Sequence, residues 1–181
     1  MQRFPNPDRE SLTPEGQKIW DVIDQTRGGV WGPYAVLMGV PQLAERVAAV
    51  GEYLRFHGSL ADIDRELAIL VSAEKSNCPF EWAIHEPIAL KAGLTKDMLD
   101  SIRGSIEPLG FSARQNLIVE VIRELFDTKT LKEESFLRAK AEFGQEQLLE
   151  ITVIAGFYRM LAFVLNAFDV EIPSPQEVKK T

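Results

Sequence analysis

Three residues in one short stretch, "SNCPFEWAIHEP" from Ser76 to Pro87, have types and spacing that suit chemistry. Cys78 is the only cysteine of the chain; Glu81 follows three residues later and His85 four after that. On a helix these positions are i, i+3 and i+7, so all three project from one face over two turns and can share a site. A cysteine at the start of a helix meets unpaired amide groups and the positive end of the helix dipole. Both favour a thiolate, and an adjacent imidazolium favours it further. Glu81 can orient His85 or hold it protonated, because a carboxylate within hydrogen-bond reach favours the charged ring. A plainer reading fits the same residues: a lone cysteine is usually a small buried hydrophobe, and Glu with His one turn away is often a solvated pair. Spacing alone leaves both readings open.

The elements that must position these residues are helices, since nearly every periodic segment has the helical period and punctuation falls between segments. Thr13 before Pro14 predicts an N-cap and a helix through about Thr26, which "RGGVWGPY" then breaks. Pro41 to His57 carries Leu43, Val47, Val50 and Leu54 at helical spacing and stops at Gly58. Ser59 with Asp62 predicts a capping box for "ADIDRELAILVSAEKSN", the helix of Glu66. Pro79 opens the next helix, with Cys78 at or beside its N-cap and Gly93 at its end. Thr95, with Asp97 and Asp100 behind it, opens a short helix, and "GSIEPLGFS" is a loop. Ser112 with Gln115 and Thr130 with Glu133 predict two further capping boxes, and Gly144 ends the second of those helices. The last helix, from about Glu146 to Phe168, is apolar over most of its circumference, which predicts a central, buried position. The reading is an all-α fold in one domain over residues 1–181, with an N-terminal arm at 1–13 and a polar tail at 173–181.

Composition bounds the function. A chain of 181 residues with 45% hydrophobic residues can bury one sizeable core. With 20 basic against 27 acidic residues the net charge is −7, which argues against nucleic-acid or anionic-membrane partners. The first residues, "MQRFPNPDRESLTPEG", place prolines and charges where a signal peptide needs an apolar stretch, and no apolar run is read as long enough to span a membrane. The expectation is a cytoplasmic protein. One cysteine cannot close an intramolecular disulfide, so Cys78 is a free thiol, a metal ligand, a nucleophile or half of an intermolecular bond.

Glu66, then Cys78 twelve residues later, then a helix bearing "FEWAIHEPIALKAGL" with His85, resembles the carboxymuconolactone decarboxylase family, relatives of alkylhydroperoxidase D. The text from "LRFHGSLADIDRELAILVSAEKSNCPF" to "TKDMLDSI" resembles the family core, and "FYRMLAFVLNAFDVEIP" its continuation, so the likeness runs over most of the chain from about Trp31. It implies an alkylhydroperoxidase D-like helical fold, a homo-oligomer (dimer, trimer or hexamer), a small-molecule substrate, and a site between the Glu66 helix and the helix opening at Cys78. In the peroxidase branch a Cys-x-x-Cys pair precedes the histidine, with the second cysteine peroxidatic and a glutamate on the preceding helix completing a proton relay. Here Cys78 stands at the first position and Glu81 at the second, while Glu66 and His85 match the relay. A peroxide cycle then needs an external thiol or a disulfide across a subunit interface. In the decarboxylase branch the thiol pair is absent, and "EW" followed by histidine resembles Glu81, Trp82 and His85.

The resemblance therefore implies a lyase acting without cofactor on a small carboxylated or lactone-like substrate, with His85 as proton donor to carbon and Glu66 or Glu81 setting its protonation. The alternatives are a thiol peroxidase using Cys78 (peroxiredoxin activity) and a non-catalytic helical oligomer that binds a small molecule. Arg55, Arg65, Arg114 and Arg159 are available to a substrate carboxylate, and the sequence does not choose among them. Trp31 and Tyr34 in "GGVWGPY" are candidate pocket walls, or core and interface aromatics. Tyr158 is a candidate hydrogen-bond donor to the site, or a core tyrosine paired locally. Trp82 lies off the Cys78–His85 face and is read as packing. His57 beside Gly58 is read as a helix-end residue interacting with the dipole. A Glu66, Glu81 and His85 metal site is possible but ranks below acid–base use, and no metal is called.

Overall fold

Proline, capping residues and left-handed turns set the element boundaries of the computed structural model, which describes residue 3, residues 5–104 and residues 110–174. The described residues contain helices and no strand. They divide into two compact units, Met1–His57 with Phe163–Thr181, and Gly58–Ala162.

In the first unit, α1 (Pro14–Arg27) is capped by Thr13, whose hydroxyl accepts from the Gly16 amide at 3.2 Å, and it ends at Gly28 in the left-handed region. The break read at "RGGVWGPY" is present, with Gly28, Gly29 and Gly32 all at positive φ, and it leads into a short helix the sequence did not disclose, α2 (Pro33–Leu37). Next, α3 (Pro41–Glu52) packs on α1 and continues as a π-helical turn, Tyr53–His57. It buries Ala44, Val47 and Ala48, whereas Leu43 and Val50 are 47% and 44% exposed. Of the four apolar positions read from the sequence, Val47 and Leu54 are buried and Leu43 and Val50 are not.

The second unit holds α4 (Asp62–Lys75), α5 (Pro79–Ala92), α6 (Lys96–Arg103) and α7 (Ala113–Thr128), with α4 packed on α5, α6 and α7. Leu67, Ala68, Ile69, Leu70 and Val71 are at most 1% exposed, so α4 is the axis of this core. Thr95 and Ser112 cap α6 and α7 as their sequences predict, through the Met98 and Gln115 amides.

Two predicted capping boxes are corrected. The N-cap of α4 is Ala61 with no side-chain bond; instead the buried carboxylate of Glu150 accepts from the Ser59 amide (2.9 Å) and hydroxyl (3.2 Å) and the Leu60 amide (3.1 Å). A Cβ at Gly58 would stand 3.2 Å from the Glu150 carboxylate oxygens, so glycine makes room for this close approach. Likewise Thr130 does not cap the next helix; the Lys132 amide donates to Glu124 of α7 at 2.8 Å, and Ser135 also bonds this carboxylate. In both cases a carboxylate from another helix accepts from backbone amides just ahead of the helix.

The last helical stretch, α8 (Glu133–Phe168), is broken at Gly144, whose φ of 67° and ψ of −174° are not helical, as its sequence predicts. Its second part buries Ile151, Ile154, Leu161 and Leu165. By length and composition this stretch is apolar enough to cross a membrane, contrary to the reading of the sequence, but 56% of that window is buried inside the chain. The loop "GSIEPLGFS" lies outside the described residues except at its ends, and so does most of the polar tail.

Candidate functional site

A tight joint sets the site. After α4, Asn77 adopts the left-handed conformation (φ 48°), its amide bonds the Glu74 carbonyl at 2.9 Å, and the Cys78 amide bonds the Ala73 carbonyl at 2.9 Å. These two bonds form a Schellman motif, in which asparagine tolerates the left-handed position that glycine usually takes. Pro79 then starts α5 with its fixed φ. The joint folds α5 back along α4 and brings Glu66, three turns before the joint, against His85, two turns after it.

The Glu66 Oε2 to His85 Nδ1 distance is 2.7 Å, with the two side chains 1% and 3% exposed. On the other side of the ring, His85 Nε2 is 3.6 Å from Glu81 Oε2, one turn earlier on α5. Arg65 Nε reaches the second oxygen of Glu66 at 3.4 Å while its terminal nitrogen bonds Asp62 at 2.9 Å. Tyr158 of α8 packs edge-on to the imidazole, ring centroids 5.2 Å apart. A continuous line of side-chain contacts thus runs from the half-buried Arg65 through the buried Glu66 and His85 to Glu81. A carboxylate at Nδ1 pairs with the tautomer protonated there, which leaves Nε2 as the atom that can take or give a proton.

Cys78 belongs to the same face but to a different chemistry. It is 2% exposed, and burial pushes its thiol up to about 11 from the usual 9.0, against the Glu81 and Phe80 amides, which favour the thiolate, and with the Glu81 charge, which opposes it. The helix start is present as the sequence implies, yet desolvation outweighs it. Cys78 is a neutral thiol at physiological pH.

The structure therefore brings together Glu66, Glu81, His85 and Tyr158, and places Cys78 beside Glu81. Trp31 and Tyr34 belong to the first unit, where the Arg27 guanidinium lies 4.8 Å above the Tyr34 ring. Trp82 is buried off the face, its indole donating to Glu86 at 2.7 Å under the Arg103 guanidinium. Among the four arginines the sequence left open, Arg65 touches the cluster. Arg114 is held by Asp64 (2.7 Å), Gln147 (2.7 Å) and Glu142 (3.2 Å), Arg159 stacks on Phe126, and Arg55 on Phe56. Arg65 stands out only once the rotamers are known, because adjacent helix positions ordinarily point apart. Among the described residues, no group of three His, Cys, Asp or Glu side chains is arranged to hold a metal ion.

Comparison with solved structures finds the same architecture in proteins of low sequence identity. A peroxidase-related protein with an alkylhydroperoxidase AhpD core from Ralstonia eutropha JMP134 superposes with a TM-score of 0.80 at 16% identity, covering 98% of this chain and 94% of that one. A peroxidase-related protein from Silicibacter sp. TM1040 gives 0.76 at 17% identity, over 98% and 94%. A cysteine-to-alanine variant of the debrominase Bmp8, in complex with 2,3,4-tribromopyrrole, gives 0.70 at 15% identity, over 99% and 98%. Curated proteins gave no match. Residues 41–124, which include both helices of the Glu66–His85 pair, match the model of the carboxymuconolactone decarboxylase family. Over that span the chain is similar to the family, and its fold is the all-helical fold of the alkylhydroperoxidase D-like proteins.

Proposed function

We propose that the chain is an acid–base enzyme that decarboxylates, or moves a proton on, a small carboxylated or lactone-like substrate, with His85 as the proton carrier. One observation carries the reading: His85 has a carboxylate at each ring nitrogen, at 2.7 and 3.6 Å, while the only thiol of the chain is held neutral. Loss of carbon dioxide breaks a carbon–carbon bond and leaves its electron pair delocalised onto a carbonyl oxygen. The resulting enolate is quenched when Nε2 of the imidazolium delivers its proton to carbon, and solvent returns that proton. Glu66 holds the ring, Arg65 contacts Glu66, and Glu81 faces the nitrogen that exchanges the proton. Tyr158 packs edge-on against the ring and borders the site. The match of residues 41–124 to the carboxymuconolactone decarboxylase family model supports this reaction class. A thiol peroxidase using Cys78 is disfavoured by the buried, neutral thiol.

The test is a panel of β-keto and lactone acids in deuterated water, read by carbon dioxide release and deuterium uptake. His85→Ala is expected to lose at least 100-fold in kcat and Cys78→Ser to stay within about threefold, in line with general acid–base contributions of about 10²–10⁴. Hydroperoxide turnover that vanishes in Cys78→Ser would instead establish the thiol reading. Binding without turnover, unaffected by either substitution, would make the chain a binder.

A further inference from the structure

The first unit contains a hollow of about 470 Å³ that shares no residue with the Glu66–His85 cluster. Its walls are the arm at Pro5–Pro7, the corner between α2 and α3 from Val36 to Leu43, and Val164 and Phe168 of α8. The arm is fastened in place: the Arg3 amide donates to the Phe168 carbonyl at 3.0 Å and its guanidinium to the Ala167 carbonyl at 3.3 Å, so the last carbonyls of α8 are occupied. Among the described lining residues none is titratable, and Asn6 supplies the one polar side chain. Val40 and Leu43, 55% and 47% exposed, present apolar surface to this hollow.

We infer that this hollow is a second ligand site, for an uncharged apolar small molecule with an aromatic or short aliphatic body and at most one hydrogen-bonding group. The charge pattern selects this class: an anion or cation would lose its hydration and gain no countercharge, whereas burial of apolar surface is favoured on both sides. The volume lies within the roughly 300–1,000 Å³ of small-molecule sites, which are lined predominantly by apolar side chains as this one is. A concave wall built from three separate segments suits a compact molecule better than the convex surface of another protein.

The experiment is titration of the full chain with the uncharged fluorophore N-phenyl-1-naphthylamine, read by its emission in apolar surroundings. Saturation at one probe per chain is expected. Leu43→Glu places a carboxylate in the wall at the third residue of α3, where glutamate favours the helix start and folding is retained. It should weaken binding at least tenfold, as should Val40→Asp at the N-cap. Leu149→Glu, at a 59% exposed leucine outside the hollow, should bind as the wild type does. Equal weakening by all three variants, no weakening by the first two, or binding that does not saturate would overturn the assignment. So would a stoichiometry of one probe per two chains, or affinity that falls as the chain is concentrated, since a second copy would then cover the hollow.

Discussion

The ionisation of Cys78 separates the acid–base reading from the thiol reading, and it can be measured without knowing the substrate. Take alkylation by iodoacetamide at pH 7.5. A thiol at about 11 is ionised to roughly 3 parts in 10,000 there, against roughly 3 in 100 for one at the ordinary 9.0, a 100-fold difference in thiolate. The more basic thiolate is intrinsically more nucleophilic; with a Brønsted slope of about 0.4–0.5 this recovers roughly eightfold. A net loss of about tenfold remains, and burial at 2% exposure slows reagent access further. The native chain should therefore react at least tenfold more slowly than the urea-unfolded chain, and its rate should keep rising with pH to about 11 rather than levelling near 9.

Stability should follow. Folding favours the neutral thiol, so the unfolded chain ionises first as pH rises; the contribution is complete below about pH 9 and is lost through pH 11. At ~1.4 kcal/mol per pH unit this amounts to about 3 kcal/mol. Urea denaturation of wild type against Cys78→Ser isolates it from other groups that titrate in the same window. An alkylation profile that levels at or below pH 8, or a native rate equal to the unfolded rate, would refute the burial argument and restore the thiol as a candidate redox centre.

Other outcomes follow from single contacts. Arg114→Met should cost about 3–5 kcal/mol in urea denaturation, because it strands the buried Asp64 carboxylate, 4% exposed and held at 2.7 Å. Glu150→Ala removes the acceptor of the Ser59 and Leu60 amides and should cost about 2–3 kcal/mol, with faster hydrogen exchange at those two amides as the specific sign. Gly93→Ala forces a side chain into φ 114° at the end of α5 and should lower stability by about 1–2 kcal/mol, whereas Gly156→Ala, at an exposed position of α8 whose Cβ meets nothing within 4 Å, should be neutral or stabilising in the same assay.

Local signals in the sequence carried most of the helix boundaries. Thr13, Ser112, Pro79 and Gly93 act through neighbours three or four residues away, and these are legible in one dimension. The capping failures have one cause: Glu150 and Glu124 reach the amides at Ser59 and Lys132 from other helices, and nothing near those positions announces them. Cys78 shows a related limit. Its place at a helix start was legible and argued for a thiolate, but the sign of the net effect depends on burial, which belongs to the packed core. The Glu66–His85 pair, 19 residues apart, was reached through family resemblance; its geometric basis is the left-handed Asn77 of the joint, a turn signal the quoted "SNCP" does contain. Arg65 could not be preferred to Arg55, Arg114 or Arg159 without side-chain positions.

The bond between Ser59 and Glu150 joins residues 91 apart in the chain. Loop closure over that length is entropically costly and slow relative to helix formation, so α4 and α5 can form their hairpin while the amides ahead of α4 still face water. During synthesis from the N-terminus, the glutamate that secures the start of the Glu66 helix emerges after every residue of the Glu66–His85 cluster except Tyr158. The local joint that pairs Glu66 with His85 can therefore close before the distant bond to Glu150 does. Premature termination anywhere before residue 150 would leave the pair encoded but its supporting helix unanchored at one end.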